Sequence, residues 1–442
     1  MSRMHSGQRL LSVSSYRSGI SYLLAAVVWV AVAGGAFGQD DNARFSSWAK
    51  VEAASETKAY KEAMTGGGAF DATARGFLEQ IALPQLQLES NRPTIERIRK
   101  RLREFLLGGI ANEKSADEAT KTVSVFMESL AARNDADPVS RVNAMLLIGE
   151  LQSPDRKPWP PAAATLAQAV ANADLPKAVR IAACVGLAKH VEATRGVVEE
   201  QQRLAAVAVP AIVAILKEPT TPESVAQNDW MASRCLSMLP LLGPMKPATA
   251  EDVVRILNDG SRSINVRVRA AAALAAGANA ESKIDAAALI QSIGGLAVSS
   301  LEGDVAAGDK LLLERQYGGG SGPPLPGAGG YVSPDEMPTY GPPVDLTGRP
   351  PVDQVIPKEV CRRAAWRLSV LADSTLTDDS KLGLALLLGD IPPAASRLAQ
   401  SLRRAALELD ARPEEVILRQ TFASLKPAAA AGGTPAPAAA SK

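Results

Sequence analysis

Rings are scarce in this 442-residue chain: aromatic residues make up 4% of it, and His190 is the only histidine after His5. Acid–base chemistry built on imidazole has almost no material here. Cysteine is as sparse, with only Cys184, Cys235 and Cys361. An odd number, spaced this widely, argues against a disulfide framework and against a Cys-x-x-Cys zinc site. Each lies in an apolar helical run and reads as a small buried side chain. β-branched residues nowhere alternate between Asn-Gly or Asp-Gly turns, so sheets are not expected. Charge of one sign is missing too. The net charge is +1, and without Arg3, Arg9 and Arg17 of the N-terminal segment the 48 basic residues fall to 45 against 47 acidic ones. A chain this near to neutral lacks the basic surface that competes for phosphate backbones, and no nucleic-acid partner is expected.

What the chain does have is Ala and Leu, within an apolar share of 46%. Small and γ-branched side chains suit helices packed closely on helices. The expectation is an all-α fold, long enough for two ordinary domains or for one extended array.

The N-terminus carries Arg3, Arg9 and Arg17, then an apolar run over 22–33, then Gly34, Gly35, Ala36, Phe37 and Gly38 before Asp40 and Asp41. That order is an export signal, with the cut placed after Gly38 and residues 1–38 removed. An uncleaved anchor is the alternative, since 19–38 is about the length that spans a bilayer. The expected location is exported, periplasmic or extracellular, with N-terminal anchoring left open. After signal removal no transmembrane segment is expected.

Helical spacing fills the rest. Ile95, Ile98, Leu102, Phe105 and Leu106 recur at three and four residues, and Gly108 and Gly109 stop the run. Val123, Phe126, Met127 and Leu130 form a second stripe, followed after Pro138 by a helix over 139–151. Thr249 with Asp252 and Ser282 with Asp285 place a hydroxyl three residues before an acid, the capping-box pattern. Pro413, followed by Glu414 and Glu415, opens the last helix.

One local pattern returns: Arg141 with Ala144, Arg180 with Ala183, Arg234 with Ser237, Arg269 with Ala272 and Arg362 with Ala365. A small residue three places after an arginine lies one turn along the same face, where it admits a neighbouring helix. Pro138 and Pro176 stand at two of these helix starts, where they cost no hydrogen bond. The segments 137–151, 175–188 and 266–277 resemble the second helix of HEAT repeats: a proline or aspartate at the turn, Val-Arg, small residues, then leucine and glycine. The resemblance implies antiparallel helix pairs stacked into an α-solenoid with a concave partner-binding face. The five arginines are 39, 54, 35 and 93 residues apart, and the longest gap is read as two repeats plus an insertion. The tetratricopeptide alternative lacks its Trp and Leu-Gly pattern. Ala144, Ala183, Ala272 and Ala365 are assigned to repeat packing.

The expected division is a signal peptide (1–38), an N-terminal helical or capping segment (39–118), HEAT-like repeats (119–316), a Gly/Pro-rich disordered loop (317–357), C-terminal helical repeats (358–425) and a disordered Ala/Pro tail (426–442). Glycine frees the backbone and proline removes donors, so the loop and tail offset little ordering entropy. Tyr317, Tyr331 and Tyr340 stand in that loop, as disorder or as a Pro-rich ligand for an aromatic groove.

No set of residues points to catalysis, a cofactor or a metal. His190 follows Leu187 at a helix end and reads as a surface or cap histidine. Asn134, Asp135 and Asp137 lack the glycine and distal acid of a calcium loop. No phosphate-cradling glycine run occurs. The densest charge is the basic helix with Arg97, Arg99, Lys100, Arg101 and Arg103. It is either the solvated face of an amphipathic helix or a contact for an anionic partner. The expected function is a non-catalytic scaffold or adaptor for an unidentified protein partner of the cell envelope. Two alternatives are an accessory protein binding envelope glycan or anionic lipid, and an enzyme of unrecognised type.

Overall fold

A computed structural model describes residues 48–66, 68–107, 111–221, 223–278, 282–317, 358–375 and 393–431. The regions assigned to the export signal (1–38), to residues 318–357 of the loop and to 432–442 of the tail lie outside them. Among the described residues the fold is all-helical, and its one extended pairing is an isolated antiparallel bridge between Gln152 and Pro158. The chain divides into two compact units, one of residues 1–197 with 206–211, the other of 198–205 with 212–442.

The first unit opens with α1 (Trp48–Ala53), α2 (Ser55–Met64) and α3 (Ala72–Gly76), the last capped by Asp71, which accepts from the Ala74 amide at 2.9 Å. A π turn (Phe77–Ala82) and two 3-10 turns (Leu83–Leu86 and Glu89–Thr94) follow, then α4 (Ile95–Leu107). Pro84 and Pro93 explain the irregularity, because neither can donate to an α-helical ladder. Five rings gather here, Trp48, Tyr60, Phe70, Phe77 and Phe105. Tyr60 lies 5.1 Å from Phe77, Phe77 5.9 Å from Phe105, and Phe105 5.5 Å from Trp48. Such pairs add to the area they bury. The boundary drawn at residue 118 falls inside the next helix, α5 (Glu113–Ala132), which Asn112 caps through the Ser115 amide.

Two helix pairs complete this unit: α5 with α6 (Pro138–Ile148), and α7 (Pro160–Ala171) with α8 (Lys177–Ala193). α6 also packs against α4 on one side and α8 on the other, so α4, α6 and α8 form one layer.

Next in the chain comes α9 (Val198–Lys217). The second unit then holds α10 (Val225–Met238), a 3-10 turn (Leu239–Leu242), α11 (Pro247–Asn258), α12 (Ile264–Gly277), α13 (Ala286–Tyr317), α14 (Lys358–Thr375), α15 (Pro393–Ala411) and α16 (Glu415–Ala431). α11 packs on α12, and α14 on both α12 and α15. α12, α13 and α14 are joined by a buried ion pair. Arg367 holds both oxygens of Asp304 at 2.8 and 2.7 Å and donates through Nε to Asn265 at 2.8 Å. Burial pushes the Asp304 carboxyl above its ordinary value, against the pull of Arg367.

Several helix starts differ from the sequence reading. α11 begins at Pro247, so Thr249 is a buried residue inside the helix rather than its cap. Ser282 spends its hydroxyl on the Met245 carbonyl at 2.8 Å, and Asp285 does the capping, accepting from the amides of Ala287 and Ala288. The last helix starts at Glu415, after Pro413, and α13 and α16 continue through Tyr317 and Ala431, past the bounds drawn for loop and tail.

Candidate interaction face

The repeated arginine has a structural counterpart in three helix pairs. The amides of Arg141, Arg180 and Arg267 bond to the carbonyls of Asp137, Pro176 and Ser263, which places each arginine in the first turn of its helix. Each Nε then donates to a carbonyl ten residues earlier, Ala131, Val170 and Leu257 respectively, all at 2.9 Å. Those carbonyls end the preceding helix, where no intrahelical donor remains, so one side chain closes each helix hairpin.

This bond corrects the register drawn from sequence. In α12 the equivalent residue is Arg267, two places before Arg269, whose guanidinium lies 4.8 Å from the Trp366 ring. Ala272 is accordingly part-exposed, and Ala270 takes the buried place. Ala144, Ala183 and Ala365 are buried. Arg234 stands in the third turn of α10, whose first-turn position is Asn228: its amide bonds the Ser224 carbonyl and its Nδ2 reaches the Pro219 carbonyl at 3.2 Å. Asparagine is shorter, and a second side chain covers the remaining carbonyls. Arg262 donates to Leu216 at 3.3 Å and Glu218 at 2.8 Å.

Between α6 and α8 the approach is close. A Cβ built on Gly149 would meet the Gly186 Cα at 2.5 Å, and one on Gly186 would meet Gly149 and Leu166 at 2.9 Å. With the two helices this close, their outer residues form one surface. The 39-residue offset from Arg141 to Arg180 pairs Val142 with Ile181, Leu146 with Val185 and Glu150 with Lys189. All four apolar members are part-exposed. Their spacing of four puts Val142 with Leu146, and Ile181 with Val185, on a single helical face.

One end of this apolar strip is charged. Glu150, with a side chain only 12% exposed, receives Arg99 Nε at 3.5 Å, Lys189 Nζ at 3.5 Å and Arg103 Nη1 at 3.9 Å. Arg99 also donates to Asn143 at 2.6 Å. The basic helix is thus split in function. Arg99 and Arg103 turn to Glu150, Arg101 lies 6.0 Å from the Trp48 ring, and Arg97 and Lys100 are exposed. Glu150, Lys189, Asn143 and the two glycines were not singled out from sequence. The signal was the same offset, read for residues other than arginine.

His190 is not a surface histidine. It is 3% exposed and its Nε2 has no partner within the described residues. Burial first, and the neighbouring Lys189 second, push its imidazole down to about 4. The three cysteines are buried and none is in a disulfide among the described residues, and burial raises the Cys361 thiol. Among the described residues no three His, Cys, Asp or Glu side chains gather as metal ligands, and no helix is long and apolar enough to cross a membrane. A cleft of about 370 Å³ lies between α11 and α13, lined by Val254, Leu257, Ile284 and Leu289 with Lys283 and Glu251 also on its wall.

Compared with known proteins, the chain matches no family model and no curated sequence.

Proposed function

We propose that the chain is a non-catalytic scaffold of the cell envelope, built on HEAT-like helix pairs in a solenoid, and that it holds a protein partner on the layer of α4, α6 and α8. The supporting observation is the strip of Val142, Leu146, Ile181 and Val185. These side chains repeat in register on adjacent helices and stay part-exposed in a unit whose other large apolar groups are mostly buried. Repeat proteins use such continuous faces for extended partners, and contiguous apolar surface is the usual mark of a protein contact. The hairpin-closing arginines favour the repeat reading, because their geometry recurs in three helix pairs. Export rests on the N-terminal sequence pattern alone.

The glycan or lipid alternative asks for an open basic helix. Two of its five cations already contact Glu150, which favours the protein reading.

Photo-reactive residues placed at Leu146 and Ile181 in the native host test the proposal, with Val125, 68% exposed on α5, as the comparison position. Both face positions should give the same covalent adduct and Val125 none. Equal labelling at all three positions, or none at the face, would remove the proposal.

A further inference from the structure

The charged end of the face has an imbalance that points to the chemistry of the partner. Three cations, Arg99, Arg103 and Lys189, converge on the single carboxylate of Glu150, within 3.5 to 3.9 Å. The site is recessed: the Arg99 and Glu150 side chains are 15% and 12% exposed, while Arg103 and Lys189 reach outward at 38% and 48%. Like charges held this close in a partly dehydrated place repel one another more than they would in water, and one carboxylate offsets only one of them. Glu96 and Glu104, the acids of α4, are exposed and form no ion pair with this cluster among the described residues. Among the four groups in contact the surplus is positive. It sits beside an apolar strip, since Glu150 and Lys189 continue the rows of Leu146 and Val185 one turn further along.

We infer that the occupant of this face is a protein segment carrying an acidic side chain next to apolar ones, its carboxylate seated between Arg103 and Lys189 beside Glu150. The inference rests on the scaffold reading and deepens it. Glu150 already displays the geometry of a carboxylate among these cations, and a second one halves the surplus of two positive charges. An acidic polysaccharide carries charge along its whole length and has nothing to fill the strip of Val142, Leu146, Ile181 and Val185. A lipid headgroup would ask for a broad basic plane, where this structure has a point of convergence.

The test uses the full mature protein and a short synthetic peptide with Leu and Glu at helical spacing, beside a Glu→Gln version of it. The Glu peptide should bind more tightly than the Gln peptide, in a salt-sensitive way. Charge reversal by Arg103→Glu with Lys189→Glu should weaken it at least about tenfold, the scale of one or two lost charge contacts. A Lys peptide should then bind the reversed protein. Should reversal disturb folding, Arg103→Gln with Lys189→Gln carries the same expectation for the Glu peptide. Equal affinity for the Glu and Gln peptides overturns the inference. So does binding of heparin or anionic vesicles with none of the peptide, or self-association that the same substitutions abolish. If the photo-adducts at Leu146 and Ile181 persist while the peptide discriminates nothing, the acidic chemistry fails and the scaffold stands. If those adducts are missing, the scaffold reading itself fails.

Discussion

Gly149 and Gly186 meet backbone to backbone, so near that a methyl on Gly149 would lie 2.5 Å from the Gly186 Cα. No side chain intervenes where α6 crosses α8, and the layer that carries the proposed face depends on this crossing. Gly186→Ala should therefore destabilise the protein by about 1 to 3 kcal/mol, the cost of overpacking a tight contact. Gly303 inside α13 has nothing within 4 Å of a built Cβ. There the same change should stabilise by about 0.5 to 1 kcal/mol through helix propensity. Urea unfolding of the two variants gives opposite shifts if the crossing is as described.

The hairpin-closing bond distinguishes Arg267 from Arg269. Arg267→Ala strips the Leu257 carbonyl of its donor and should cost about 1 to 3 kcal/mol. The denaturation midpoint of Arg267→Ala measures that cost, and an unchanged midpoint would restore the register drawn from sequence.

Much of the helical architecture was readable because period and punctuation agree: the stripe of Val123, Met127 and Leu130, and Pro138 at the start of α6, fix the first pair. Register in α12 was not readable. Arg267 and Arg269 stand two apart in a run of alanines, and only the bond to Leu257 tells them apart. Asn228 hid the register of α10, where the sequence pattern picks out Arg234, since its role is shared with Arg262 from another loop. The Glu150 cluster escaped for a similar reason. Its cations come from α4 and α8, and no local pattern joins them.

Arg367 and Asp304 are both nearly buried, so breaking the pair leaves an uncompensated charge. Asp304→Asn or Asp304→Leu should destabilise by about 3 to 5 kcal/mol. Arg367→Met combined with Asp304→Leu should recover most of that loss, because the desolvation cost of both ions disappears. A double-mutant cycle by thermal or chemical unfolding measures the recovery.

His190 gives the fold a pH dependence. Its folded value of about 4 lies below the ordinary 6.5, so between these limits the unfolded chain binds a proton that the folded chain refuses. Its contribution is fully present above pH 6.5 and is lost as the pH falls toward about 4, by at most about 3 kcal/mol. His190→Leu, the residue found at position 151 in the preceding pair, should flatten stability across this window. An unchanged slope in the variant would assign the effect to other groups.

A scaffold that holds its partner on α4, α6 and α8 must have that layer covered in the native setting. Hydroxyl-radical footprinting of the protein in its own envelope extract, against the purified protein, measures this at individual side chains. Leu146, Ile181 and Val185 should be protected several-fold in the extract, while Val125 and Leu407, exposed elsewhere at 68% and 67%, should be oxidised equally in both samples. Equal oxidation of Leu146, Ile181 and Val185 in the two samples would contradict the scaffold proposal.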